Sequence, residues 1–161
     1  MSRTHFHGRT LARSQALQLL FQAEQTARSV DEVLEGEYSL SEGPLDPFAI
    51  QLSRGADGMR SDLDAVIAAC STNWSISRMP SVDRNLLRVA IYEMLEMDEV
   101  AVAVSIDECV ELAKAYGTDE SSRFVNGLLG RVATQLEEGT DVVADARLKV
   151  GAQAREDVEE G

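Results

Sequence analysis

The side chains able to hold a metal, a proton or a nucleophile's charge are few and far apart in this chain. The two histidines, His5 and His7, precede every amphipathic pattern. Cys70 and Cys109 fall on apolar helical faces, where a reduced thiol behaves as a small hydrophobe and is expected to be buried and inert. A metal site needs several such ligands to converge, so neither a metal nor a cofactor is expected. Nucleophilic catalysis needs a base beside the nucleophile, and both histidines lie outside the predicted core elements. Glu108 and Glu111, three apart, share one side of a helix and fit a solvated face better than an acid–base pair. Gly127 and Gly130 lie inside a helical pattern rather than between a strand and a helix, which suits close helix packing and not a phosphate loop. Together these features argue against an enzyme.

The remaining candidates are cations. Residues 1–23 contain Arg3, Arg9 and Arg13 and no acid, whereas residues 137–161 hold eight acids against Arg147, Lys149 and Arg155. Arg9 and Arg13 are four apart and so emerge from one side of a helix, with Arg3, His5 and His7 extending that surface. Guanidinium groups suit phosphate because they keep their charge and donate several hydrogen bonds. A solvated N-terminal face is the plainer alternative. The formal net charge of −13 excludes a protein that coats nucleic acid with its whole surface, and would confine a phosphate-bearing ligand to this edge.

The elements that must position these residues are helical. Ala12, Ala16, Leu19, Leu20, Ala23 and Ala27 recur at steps of three and four, predicting a first helix from about Arg9 to Ala27. Ser29 with Glu32 fits a capping box opening a short second helix. Asp46 and Pro47 suit the N-cap and first position of a long third helix whose stripe is Phe48, Leu52, Gly55, Met59, Leu63, Val66 and Cys70. An irregular, buried connection is expected around Trp74 and Ile76. A helix resumes from Asp83 through Leu87, Ala90, Ile91, Met94 and Leu95. Ser105 and Glu108 form a second capping-box candidate, and the last core helix carries Phe124, Val125, Leu128, Leu129, Val132 and Leu136. The predicted fold is all-α, a helical bundle over residues 1–139.

Residues 140–161 are acidic and poor in large apolar groups, so a mobile tail is expected, with at most a transient helix through Val142, Val143, Leu148 and Val150. Such a tail could contact the basic arm and weaken nonspecific binding of phosphates there. Neither a secretory apolar run nor a membrane span is present, and a cytoplasmic location is expected.

Three blocks, in order, resemble the NusB family of bacterial transcription antitermination factors over roughly residues 8–138. The first is Ala12-Arg13 leading to Ala16-Leu17 and Phe21; the second runs from Val82-Asp83-Arg84-Asn85 to Tyr92-Glu93. The third runs from Val104-Ser105-Ile106-Asp107-Glu108 to Lys114, then Arg123-Phe124-Val125-Asn126-Gly127-Leu128-Leu129. The resemblance implies about seven helices in two small helical subdomains. It implies binding of the single-stranded boxA element of nascent RNA together with NusE, a small-subunit ribosomal protein, beside the RNA polymerase elongation complex.

By the same resemblance Arg9 and Arg13 are the leading RNA contacts, with Arg3 extending the arm and Arg123 and Phe124 a second RNA-facing pair; Phe124 fits a core role as well. Asp83, Arg84 and Arg88 are implied at the NusE surface as exposed charges, with Tyr92 as a further contact or a core aromatic. Asn126 is expected to satisfy buried backbone. The arm has fewer basic residues than several family members, with His5 and His7 where Arg would be expected. Two alternatives stay open: a helical module that binds only protein, and a detached version of the NusB-like domain of some RNA methyltransferases, although no methyl-donor glycine loop or catalytic cysteine motif follows. Monomer and homodimer are both compatible with the sequence.

Overall fold

A computed structural model describes residues 6–71 and 74–160, with side chains through residue 158. Eight α-helices and one 3-10 turn occupy the described residues: α1 Gly8–Thr26, α2 Val30–Glu35, α3 Pro47–Gly58, α4 Arg60–Cys70, the turn Ile76–Arg78, α5 Ser81–Glu96, α6 Val102–Tyr116, α7 Ser121–Glu137 and α8 Val142–Glu160. The centre is α5, which touches α1, α3, α4, α6 and α7. Its Leu86, Leu87 and Ile91 are fully buried, with Leu19, Leu52 and Leu128 closing around them from three other helices. Burial of such side chains is the main driving force for assembling helices of this length, which would be marginal alone.

Several local signals act as expected. Ser29 accepts from the Glu32 backbone N–H at 3.1 Å while the Glu32 carboxylate accepts from the Ser29 N–H at 3.0 Å, completing the capping box of α2. Asp46 Oδ1 accepts from Phe48 N at 2.8 Å with Pro47 at the first helical position. Both cysteines are free and buried, and burial pushes their thiols upward from the ordinary range.

Four expectations about the helices are corrected. The long third helix is two helices, broken at Met59 (φ −103°, ψ 14°) directly after Gly58, whose lack of a side chain weakens helix there. The apolar stripe hid the break because Leu52, Leu63, Val66 and Cys70 all remain buried on either side of it. Ser105 is not an N-cap: α6 begins at Val102, and the Ser105 hydroxyl is buried without a hydrogen-bond partner among the described residues. Gly127 and Gly130 do not enable close packing, since a Cβ on either would meet nothing within 4 Å. Close approaches occur instead at Gly55, where a Cβ would stand 2.1 Å from the Tyr92 ring, and at Gly117, where it would stand 2.4 Å from Ser121 Oγ.

The fourth concerns the segment expected to be a mobile tail. Gly139, at φ +75°, turns the chain, Asp141 accepts from Ala144 N at 3.1 Å, and α8 follows against α4 and α7. Val142 and Ala146 are buried, and Arg147 joins Asp62 at 2.5 Å and Ser61 at 2.9 Å. Val143 and Val150 add partly buried apolar surface beside them, and the docking on α4 is a contact that composition alone does not reveal. Farther along, Leu148 and Val158 are exposed. Trp74, expected in a buried connection, is also exposed.

Candidate nucleic-acid interface

The start of α1 is fixed from below by a buried amide. Gln15 is fully covered, and its Nε2 donates to the carbonyls of Glu42 and Pro44, both at 2.9 Å. Its Oε1 accepts from Asp46 N at 2.9 Å. The loop entering α3 is thereby stapled to α1, and Phe48 is delivered beneath the first turns of α1. The Arg9 guanidinium carbon lies 4.2 Å from the Phe48 ring centroid and that of Arg13 lies 5.6 Å from it. The two arginines share a helix face, as their spacing requires, but not an environment.

Arg9 is exposed at the mouth of this face. Arg13 is only 3 % exposed, a correction to its expected place on an open surface. Its Nε donates to both carboxylate oxygens of Glu93 at 3.1 and 2.9 Å, its Nη2 also reaches Glu93, and its Nη1 lies 3.2 Å from Glu108. Glu108 in turn accepts from Thr10 Oγ1 at 2.9 Å on each oxygen. One guanidinium therefore ties α1 to α5 and α6. The two glutamates considered together in the sequence separate in role: Glu108 is half-buried in this cluster, and Glu111 is exposed, 3.7 Å from Lys114.

Sequence reasoning missed Glu93. A signal was present: it stands four after Val89, three after Ala90 and four before Met97, all buried, so a carboxylate on that stripe demanded a cationic partner. Tyr116 was also missed; its hydroxyl lies 2.6 Å from Ser14 Oγ, and its ring is 6.3 Å from that of Phe6, just before α1. His7 is the N-cap residue of α1, with no side-chain capping bond. Arg3 and His5 lie outside the described residues.

Arg123 is exposed in the first turn of α7, and Phe124 beside it is half-buried, edge to face with Trp74 at 5.2 Å between centroids and 79° between planes. Tyr116, at the end of α6, is joined to α7 by the short turn 117–120. On the arm side, Phe6 thus meets Tyr116, while Phe124 pairs with Trp74. Asn126 is exposed rather than satisfying buried backbone.

The charged members of α5 expected on an open face are instead internal fastenings. Asp83 is 1 % exposed and accepts from Ser121 Oγ at 2.8 Å; burial pushes its carboxyl upward against that bond. Arg84 donates from Nε to Glu24 at 3.1 and 2.9 Å and from Nη1 to the Met79 carbonyl at 2.5 Å. Arg88, 4 % exposed, bridges Glu24 at 2.9 Å and Asp64 at 2.7 Å, linking α1, α4 and α5. Burial alone would raise the Glu24 carboxyl, but hydrogen bonds from Arg84, Ser81 and Arg88 outweigh it and hold the pKa down to about 2. Helical periodicity suggested exposure because these positions border the apolar stripe; the surrounding helices cover that border. Tyr92 alone of the four reaches an open groove, lined also by Asp31, Ile50, Arg54 and Gly55.

Among the described residues no group of His, Cys, Asp and Glu could hold a metal, and no helix is long and apolar enough to cross a membrane. Residues 10–134 match the model of the NusB family. The chain is 44% identical over 128 residues to the transcription antitermination protein NusB of Salinispora tropica, covering 78% of this chain and 94% of that one. It is 39% identical over 130 residues to the Bacillus subtilis protein of the same name, covering 81% and 98%. The solved structure of T. maritima NusB matches with a TM-score of 0.69 and 34% identity, over 81% of this chain and 94% of that one. A chain in the crystal structure of the antitermination factors NusB and NusE in complex with dsRNA shares the fold, with a TM-score of 0.64 at 24% identity over 77% and 94%. The family-model match ends within α7, before α8.

Proposed function

Because the chain belongs to the NusB family, we propose that it is a transcription antitermination factor that binds the boxA element of nascent RNA together with NusE and helps assemble an antitermination complex on RNA polymerase, notably at ribosomal RNA operons. The observation that carries this reading from the site is the acid-free start of the chain, whose Arg9 is held open over Phe48. Such a cation binds phosphate without first breaking a buried ion pair, whereas Arg13 would have to abandon two carboxylates. Arg9, Arg3 and Arg123 are the phosphate contacts and Phe124 a base contact; Arg13 acts as a positioning residue that sets the angle of α1. Tyr92 is the NusE contact, with Asp83, Arg84 and Arg88 holding α5 in place beneath it.

The work done is tethering. RNA held near the polymerase raises the local concentration of elongation factors, and no bond is made or broken. The reading therefore includes no catalysis, a cytoplasmic location and no requirement for a second copy of the chain.

The test is fluorescence anisotropy of a labelled boxA RNA with this protein, with and without NusE, across salt concentrations. If three arginines neutralise phosphates on a single strand, log affinity should fall against log salt with a slope on the order of −2. Arg9→Ala should weaken binding and flatten that slope by roughly 0.7. An unchanged slope removes Arg9 from the site, and no RNA binding with NusE present leaves a module that binds only protein.

A further inference from the structure

Trp74 is the sole tryptophan of the chain, and 38% of its surface is exposed. A partly exposed indole keeps ring surface and an N–H available to a further partner. It is held in place. Ser71 Oγ donates to the Trp74 carbonyl at 2.6 Å, and Arg131 Nη1 donates to the Cys70 carbonyl at 2.8 Å, fixing the start of the segment against α7. Its ring meets Phe124 edge to face, which leaves ring surface free for a further planar partner.

The surroundings select the partner. In a chain with 28 acids, residues 121–136 of α7 contain Arg123 and Arg131 and no acid at all. Arg123, Asn126, Gly127, Gly130 and Arg131 are exposed along that helix. Asp119 and Glu120 in the preceding turn are exposed as well and repel phosphate there, so the contact at this edge is through base faces and the flanking guanidiniums rather than a continuous phosphate track. Exposed aromatic rings interleaved with arginines are the platform on which unstacked bases of a single strand settle.

We propose that Trp74, braced edge-on by Phe124 and flanked by Arg123 and Arg131, is a base-stacking platform that extends the RNA surface beyond the N-terminal arm. The inference rests on the RNA-binding reading above.

A single tryptophan makes the test direct. Full-length protein with NusE is titrated with single-stranded boxA RNA while anisotropy of the labelled RNA and tryptophan emission are followed in parallel. Stacking should quench the emission with the same midpoint as the anisotropy change. Trp74→Ala should weaken binding on the order of tenfold with the salt slope unchanged, because a base face rather than a phosphate is lost, and Trp74→Phe should restore most of the affinity. Circular dichroism of both variants checks that the helical fold is kept. RNA binding with unaltered emission and unaltered Trp74→Ala affinity would overturn the platform while leaving the RNA reading intact. Emission that responds to NusE alone and no further to RNA would overturn it too, assigning Trp74 to a protein contact. Absence of RNA binding by either signal would remove both.

Discussion

Arg9 and Arg13 are one turn apart on the same face of α1, and both reach the ring of Phe48, yet one is open to solvent and the other is closed in by Glu93 and Glu108. Gly55 and Gly127 differ in the same way: one lies under a tyrosine ring, the other beside open space. Residue type and helical spacing state what a side chain is able to do, and depth in the fold selects among those abilities. An arginine at the mouth of a face is available to a phosphate; an identical arginine one turn inward is a clamp.

The sharpest way to break this comparison is Arg13→Ala. It leaves Glu93 buried with its main partner gone, and should lower the free energy of unfolding by about 3–5 kcal/mol in urea denaturation. Arg9→Ala should stay within about 0.5 kcal/mol of the parent. Equal stabilities for the two variants would mean that the buried pair does not clamp α1 to α5.

The second clamp makes a pH prediction. Glu24 has its folded pKa lowered from 4.5 to about 2, so its contribution is fully present above 4.5 and is lost as pH falls through about 2. Allowing for solvent screening, about 2 kcal/mol should disappear from the parent over that window. Glu24→Gln, less stable at neutral pH, should show a correspondingly shallower acid loss in thermal melts. Parallel pH profiles for the two proteins would discount the Arg84 and Arg88 contacts as a source of stability.

For the glycines the sign itself is the prediction. Gly55→Ala should destabilise by about 1–2 kcal/mol, since the Tyr92 ring must move, even though alanine is the better helix former. Gly127→Ala should stabilise by about 0.5–1 kcal/mol, because nothing opposes the added methyl group. Melting temperatures of the pair suffice. Shifts in the same direction would show that helix propensity outweighs the Tyr92 contact.

Much of the architecture was legible in the chain. The apolar periodicities located the helices, Ser29 with Glu32 and Asp46 with Pro47 marked two starts, and three ordered blocks pointed to the family that the comparisons establish. Each of these is a local signal or a pattern in linear order. The break at Met59 was less accessible, because a stripe that stays buried on both sides of a bend looks continuous in one dimension. Ser105 imitated a cap for a similar reason: its spacing to Glu108 fits the motif, but the helix had already begun three residues earlier.

The sequence by itself determined an all-helical fold, its main caps, an acid-free arginine edge and two inert cysteines, since these follow from periodicity, composition and short-range hydrogen bonding. Only the tertiary structure decided that Arg13, Asp83 and Arg88 face inward, that α8 docks on α4, and that Trp74 and Arg9 remain open. The physical reason is that a charged side chain on the border of an apolar stripe is stable in either place: in water it is solvated, and inside it is stable once a partner of opposite charge arrives. Those partners, Glu93 for Arg13 and Glu24 for Arg88, are 80 and 64 residues away in the chain. Which outcome prevails depends on helices meeting, and no local pattern carries that information.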